Sequence, residues 1–451
     1  MNARAIGIVL LLGALAAPAA AQAPRPFRMV ETALDSGLQS GSGEEVVQVP
    51  LGEVEVGGSP WMRLVFGEET RLGEASYIVL HSSANGDEQR LDAKSLAEWS
   101  RTSGVFVGDK VTATLHLSPI DRDVRVRVKA TQAGVGPPAV VETLCGSDNR
   151  AASSDNRVGR LFQGGCTAFR IANGSFMTAG HCADFDPDQG GPGLPDGVLD
   201  LAGVVEFNVP PSTFGGNTVP APLNDQYPIL AASVTWRYDG AGQGAGKDWC
   251  VFRVGRNANT NLLPHQAYGV PFRVTRELPT TLELARVTGF GTDTAEDNCT
   301  NQTSTGLFLG QTSANPTDIY LSYQVDTMPA NSGSPVIWPA QNLVFGVHTT
   351  GGCNSDGSGS NTGTSYEVDQ LEVAMNDNPS SGTEYVDNGH PLPVTPNGGL
   401  YRPWPTIVQG ANAVPTGRLL SIFAGTYSVP AGTVINRSMT FAAPAGAVVI
   451  H

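Results

Sequence analysis

The chain has 451 residues, 54 of them Gly and 32 Pro, and long apolar stripes of helical period are scarce, which excludes a helical bundle and favours short strands joined by turns. A formal net charge of -15 and a pI near 4.8 exclude a nucleic-acid-binding surface, which needs a basic footprint. Six cysteines without a Cys-x-x-Cys pair argue against a zinc site, and no metal is expected from them.

At the N-terminus, Arg4 precedes an apolar run from Ala5 to Ala17, followed by the small-residue sites Ala19-Ala20-Ala21 and Ala21-Gln22-Ala23. The run is too short to span a bilayer and reads as a signal peptide over 1–23. No later stretch reaches transmembrane length, so the expectation is a secreted, soluble protein, extracellular or periplasmic, and a monomer. In an oxidising compartment the six cysteines read as disulfides.

Residues 24–138 read as one sandwich-like β domain, a pro-domain or an accessory module. Ala75–Ser82, Gly104–Val107 and Val111–Leu117 are rich in β-branched and aromatic residues, and Val124, Val126 and Val128 alternate with charged neighbours. Only Ala93–Arg101 has a helical look. His81 and His116 sit in strand contexts and are read as structural. A Gly/Pro-rich linker, Gln132–Pro138, follows.

The second domain is expected over 139–376. Asn173-Gly174 between two apolar runs predicts a hairpin, with both turn positions at positive φ. Its second strand ends in Thr178-Ala179-Gly180-His181-Cys182. The following loop carries Asp184, Asp186, Asp188 and Asp196 among Pro and Gly. Alternate carboxylates of this kind can wrap calcium, although a solvated acidic loop needs no ion and the spacing is not that of a helix-loop-helix site. Calcium is the one cofactor the sequence leaves open. Asp248 opens the apolar run Trp249-Cys250-Val251-Phe252, which is costly unless its carboxylate has a partner. Asp225 and Asp239 lack such a strand behind them. Further on, Met328-Pro329-Ala330-Asn331-Ser332-Gly333-Ser334-Pro335 is a small-residue turn able to present a serine close to backbone N–H groups.

Thr178–Cys182, with Cys166 sixteen residues upstream of Cys182, resembles the histidine loop of chymotrypsin/trypsin-like serine proteases. The strand Val287–Thr292, the serine turn, and Leu343–Cys353 are similar to that family's elements, and the resemblance runs from about Leu144 to Met375. It implies an all-β fold, with a chymotrypsin-like double β-barrel preceded by the sandwich-like domain. It also implies a Cys166–Cys182 disulfide and a triad of His181, Asp248 and Ser332. The oxyanion would be held by the N–H groups of Ala330 and Ser332. Ala330 stands where the family usually has Gly, which puts the shape of that hole in question. Asn331 replaces the Asp that pairs with a new N-terminus in zymogen-activated relatives, so Arg157-Val158 need not be an activation site. Asn-Ser-Gly-Ser-Pro resembles the bacterial glutamyl endopeptidase branch.

The resemblance also places Asp326, Thr327, His348, Thr349 and Gly351 around the primary substrate pocket. Thr327 and His348 match a pocket for acidic side chains, whereas Asp326 falls where trypsin-like enzymes bind Lys or Arg; a His348–Asp326 pair would favour neither charge. For the remaining cysteines the expectation is Cys299–Cys353 and Cys145–Cys250. Protein or peptide substrates are implied.

Residues 377–400 read as a linker. From 401 to 451, Leu419–Phe423, Gly425-Thr426-Tyr427, Val434-Ile435-Asn436, Met439–Phe441 and Val448–Ile450 resemble opening rungs of a parallel β-helix, too few to stand alone. The tail is therefore expected to dock on another domain, unless the usual continuation of such a helix is missing. Two rival readings follow: a protease-like scaffold without turnover used for adhesion, and a carbohydrate-binding or carbohydrate-cleaving β-helix protein, which rests only on the tail.

Overall fold

The computed structural model describes residues 25–136, 144–183, 203–238, 246–313, 318–378, 380–391 and 395–451. The proposed signal peptide and the four aspartates of the calcium reading lie outside the described residues.

Two four-stranded antiparallel sheets form the first lobe. One orders Phe27–Asp35, Arg127–Gly134, Trp61–Phe66 and Phe106–Val107; the other orders Val47–Glu55, Lys110–Leu117, Tyr77–Ser82 and Glu88–Asp92. Along Lys110–Leu117 the side chains alternate between buried and half-buried, as a strand with one face on a core requires. Val124, Val126 and Val128 are all buried. The helix is Ala93–Glu98, started by Asp92, whose carboxylate accepts the Ser95 N–H in a capping box.

The sandwich shares its core with the next lobe: Phe162, Val204 and Leu223 belong to the same apolar cluster as Trp61 and Leu64. Gln226 crosses the junction, accepting the Val105 N–H and donating to the Val105 carbonyl, both at 2.8 Å. Buried Arg25 reaches the Phe162 carbonyl at 2.9 Å.

A seven-stranded antiparallel sheet comes next, in the order Gln226–Pro228, Val204–Glu206, Val158–Leu161, Cys166–Arg170, Phe176–Thr178, Trp249–Phe252 and Thr235–Arg237. It curls into a half-barrel, and an Ile229–Val254 bridge draws its ends together. The hairpin over Asn173-Gly174 forms, but only Gly174 has positive φ (82°). The Gly174 N–H closes a turn on the Ile171 carbonyl while the Asn173 side chain accepts the Ser175 N–H. This is the longer turn with one left-handed residue, not the two-residue loop expected from the sequence. Asn173 also donates to the Met375 and Asn378 carbonyls, a tertiary demand that the local sequence did not announce.

The second barrel closes completely. Leu343–Thr350, Pro335–Trp338, Leu284–Gly289, Gln302–Ser313, Ile319–Gln324 and Asn361–Ser365 pair in that order, and the last returns to the first. The helix Asp369–Asp377 then leads away, burying Leu371 and Met375.

The tail carries two small parallel sheets. Leu419–Ile422 lies between Glu384–Val386 and Thr440–Ala442, and Gly425–Tyr427 pairs with Val448–Ile450. Successive parallel pairings of this kind are what stacked rungs produce. Val434–Asn436 is not a strand, and Glu384–Val386 is one within the stretch read as linker. The tail docks as expected: Arg273 of the barrel region holds buried Asp387 at 2.6 Å and lies over the Phe423 ring.

Two cysteine pairings differ from expectation. Cys166–Cys182 forms, but Cys145 joins Cys353, and Cys250 and Cys299 are buried thiols. Cys145 is held beside Cys353, with Cα atoms 4.8 Å apart, within disulfide reach. Cys250 instead points into the half-barrel core, where burial pushes its thiol pKa up. Cys299 is likewise enclosed, with its carbonyl accepting from Arg160.

Candidate active site

His181 sits in the single 3-10 turn Gly180–Cys182 just after the strand Phe176–Thr178, and Asp248 immediately precedes Trp249–Phe252. These strands are antiparallel neighbours, with Thr178 opposite Cys250, so the end of one lies beside the start of the other. The Asp248 carboxylate takes two bonds from one residue: Oδ1 accepts the His181 N–H at 2.9 Å, and Oδ2 contacts His181 Nδ1 at 2.6 Å. Both side chains are buried. A carboxylate gripping both backbone and ring fixes the imidazole's orientation and sets Nδ1 as its protonated nitrogen. Gly180 is required by close approach, since a Cβ there would collide with the Arg237 carbonyl. The Tyr238 ring stands edge-on to His181, with centroids 5.7 Å apart.

The serine turn is two consecutive reverse turns. The Asn331 N–H closes on the Met328 carbonyl and the Ser334 N–H on the Asn331 carbonyl, each at 2.9 Å. Their third residues, Ala330 and Gly333, have φ of 77° and 84°. Pro329 before Ala330 suits this turn type, but a left-handed alanine costs about 1–2 kcal/mol. Several contacts hold it there. Thr292 N–H donates to the Pro329 carbonyl at 2.8 Å, Thr167 Oγ1 donates to the Ala330 carbonyl at 2.9 Å, and Asn331 Oδ1 accepts the Met328 N–H at 2.9 Å. Because the peptide is planar and trans, a Pro329 carbonyl aimed at Thr292 turns the Ala330 N–H to the opposite side.

The half-barrel also meets Ser332 directly. Thr167 N–H donates to the Ser332 carbonyl at 2.8 Å, and Cys182 Sγ lies 3.9 Å from that same oxygen. A Cβ on Gly333 would strike the Thr178 hydroxyl and the Thr167 carbonyl. The serine turn is therefore packed onto the strands that carry the histidine loop. Ser332 Oγ lies 3.4 Å from the Thr349 carbonyl, and Ser332 is buried.

Around the expected pocket, Asp326 and His348 do not pair with one another. The Asp326 carboxylate accepts the Cys145 N–H at 2.7 Å and the Asn149 N–H at 2.8 Å. His348 Nδ1 contacts the Tyr323 hydroxyl at 2.7 Å. Burial, and then the nearby His181, lower the His348 pKa to about 3, so its imidazole is neutral at ordinary pH. Asn361 donates to Thr327 Oγ1 at 2.9 Å and to the Val325 carbonyl at 2.8 Å. Thr349 is the second-to-last residue of the strand Leu343–Thr350, and Gly351 follows that strand.

Thr167, Tyr238, Tyr323 and Asn361 were not found by sequence reasoning. Thr167 follows Cys166 on the histidine-loop hairpin, the one local signal pointing to it; the others gain their place only from the folded chain. Arg157-Val158 is built into the half-barrel. Arg157 pairs with Asp155 at 2.6 Å and lies over the Phe272 ring, while Val158 begins a buried strand. The closest grouping of metal-ligand atoms among the described residues is Cys166, His181 and Cys182, and two of these are already joined as a disulfide.

No protein-family model and no curated protein sequence matches this chain. Among solved structures, a Glu endopeptidase in complex with MPD is similar at 17% identity and a TM-score of 0.37, over 51% of this chain and 96% of its own. A thermostable serine protease, AL20, from an extremophilic microorganism gives 12% identity and a TM-score of 0.34, covering 48% of this chain and 96% of its own. A mutant of human heparin binding protein gives 12% identity and a TM-score of 0.34, with coverages of 50% and 94%.

Proposed function

We propose that the protein is a secreted serine endopeptidase that hydrolyses peptide bonds by acyl transfer. Ser332 attacks the carbonyl, His181 takes its proton and later delivers it to the leaving amine, and Asp248 orients His181 and stabilises its imidazolium form. The N–H groups of Ala330 and Ser332 hold the oxyanion. The observation that carries this reading is the double grip of Asp248 on His181, on strands packed against the Ser332 turn. Two disulfides and the absence, among the described residues, of a helix able to cross a membrane suit an exported protein.

For the residue before the scissile bond, the proposal is an acidic side chain. Asp326 already accepts two backbone N–H donors and is buried, which weakens the reason to expect Lys or Arg. Neutral His348, bonded to Tyr323 through Nδ1, and the Thr327 hydroxyl are the polar groups proposed to meet a carboxyl.

A serine-directed fluorophosphonate tests the chemistry. Wild type should label, and Ser332→Ala and His181→Ala should not. A folded wild type that fails to label would favour the protease-like binding scaffold. Cleavage of peptides varied at the residue before the bond tests the preference, and a Lys/Arg preference would overturn the acidic reading.

A further inference from the structure

We propose that the Cys145–Asn149 segment is the floor of the primary substrate pocket, and that Asp326 is a positioning residue whose carboxylate holds this floor. The inference rests on the endopeptidase reading above and assigns Asp326 a role other than recognising a substrate cation.

Four stretches meet here. Both Asp326 oxygens are used within one five-residue segment, on the N–H groups of Cys145 and Asn149. Ser304 ties the two sides together, because its hydroxyl donates to the Asn149 side chain and lies 3.2 Å from the Asp326 N–H. The Cys145–Cys353 disulfide fixes the segment to the chain just past the pocket strand, and the Gly146 N–H adds a bond to the Asn354 carbonyl at 3.1 Å. Asn361 completes the ring. Its amide donates to Val325 and Thr327, while its Oδ1 accepts the Gly352 and Cys353 N–H groups at 2.8 and 3.0 Å. The loop carrying Asp326–Thr327, the end of the pocket strand and the incoming segment are therefore cross-linked into one unit.

A carboxylate accepting two backbone N–H bonds in a buried place is a strong, charge-assisted anchor. A Lys or Arg side chain reaching it would have to enter this buried place and share the carboxylate with donors that already occupy half of its acceptor sites. The segment also precedes the first strand of the half-barrel, Val158–Leu161, so pocket and chain entry are set by the same contacts.

The test uses the full chain with Asp326→Ala, Asp326→Asn and the pair Cys145→Ser/Cys353→Ser. A small fluorophosphonate reads the nucleophile without filling the pocket. In Asp326→Ala its labelling rate should stay within about threefold of wild type, while KM rises about tenfold or more for every peptide, with the order of preference unchanged. Asp326→Asn keeps one acceptor oxygen and should fall between. Hydrogen exchange over residues 144–150 should rise in Asp326→Ala and in the double Ser variant, and combining them should add less than the sum. Selective loss of Lys/Arg cleavage with unchanged exchange overturns the proposal. Should wild type neither label nor cleave, the endopeptidase reading fails by itself. Exchange still decides the clamp, and unchanged exchange in Asp326→Ala sinks it.

Discussion

The Thr167 hydroxyl donates to the Ala330 carbonyl at 2.9 Å and accepts the Phe290 N–H at the same distance. One side chain of the half-barrel thus steadies the left-handed alanine in the serine turn of the closed barrel. Replacing Thr167 by Val removes both bonds while keeping the shape, and leaves two buried backbone groups unpaired at about 1–3 kcal/mol each. Thr167→Val should lower the fluorophosphonate labelling rate about tenfold or more, while Thr167→Ser stays near wild type. Equal rates in all three would detach Thr167 from the geometry of the serine turn.

Ala330 at φ 77° carries strain that glycine does not. Ala330→Gly is expected to be more stable by about 1 kcal/mol, partly offset by the greater freedom of the unfolded chain. Its turnover should be no lower than that of wild type. Thermal unfolding and peptide hydrolysis check both halves, and a lower melting temperature would show that the turn does not strain the alanine.

Asp248→Asn keeps the outline of the His181 contact but supplies an amide where Nδ1 needs an acceptor. By the general logic of such triads, kcat should fall by about 10⁴, with little change in the melting temperature. A loss of less than tenfold would mean that Asp248 does not fix the working tautomer.

His348 gives a pH signature. Its pKa is lowered to about 3 by burial and by His181, against about 6.5 when unfolded. The unfolded chain therefore takes up a proton first. The stability that neutral His348 lends is complete above pH about 6.5 and is lost progressively as pH falls towards about 3, by up to about 1.4 kcal/mol per pH unit. Denaturant unfolding at pH 7 and 4.5 should show a smaller drop for His348→Gln than for wild type. Identical slopes would contradict a buried neutral imidazole.

Gln226 bonds to both backbone groups of Val105 and to the Ala221 carbonyl, at 2.8 Å each, across the junction of sandwich and half-barrel. Gln226→Ala should cost about 2–4 kcal/mol by stranding buried polar groups. If the sandwich and the half-barrel fold as a unit around their shared core, a single urea transition should move to lower denaturant. Two separate transitions would instead mark the sandwich as an independent module.

Much of this protein is determined locally. The alternation of Val111–Leu117, the apolar runs flanking Asn173-Gly174, the short strands of the tail and the small-residue turn at Ser332 are patterns of a few residues, set by steric fit and side-chain period. The motifs naming His181, Asp248 and Ser332 are equally short, and they could be read without knowing how the barrels close. What the tertiary structure decided are relations between distant segments. Cys145 meets Cys353 while its N–H bonds to Asp326, a residue 181 positions away, whereas Cys250 is turned into a core. Asp326 and His348 look like partners in a one-dimensional reading, yet one accepts backbone N–H groups and the other bonds to Tyr323 through Nδ1. The left-handed Ala330 is kept by Thr167 and Thr292, which lie far from it along the chain. Hydrogen bonds and desolvation depend on which groups are brought within about 3 Å, and only folding sets that for residues a hundred positions apart.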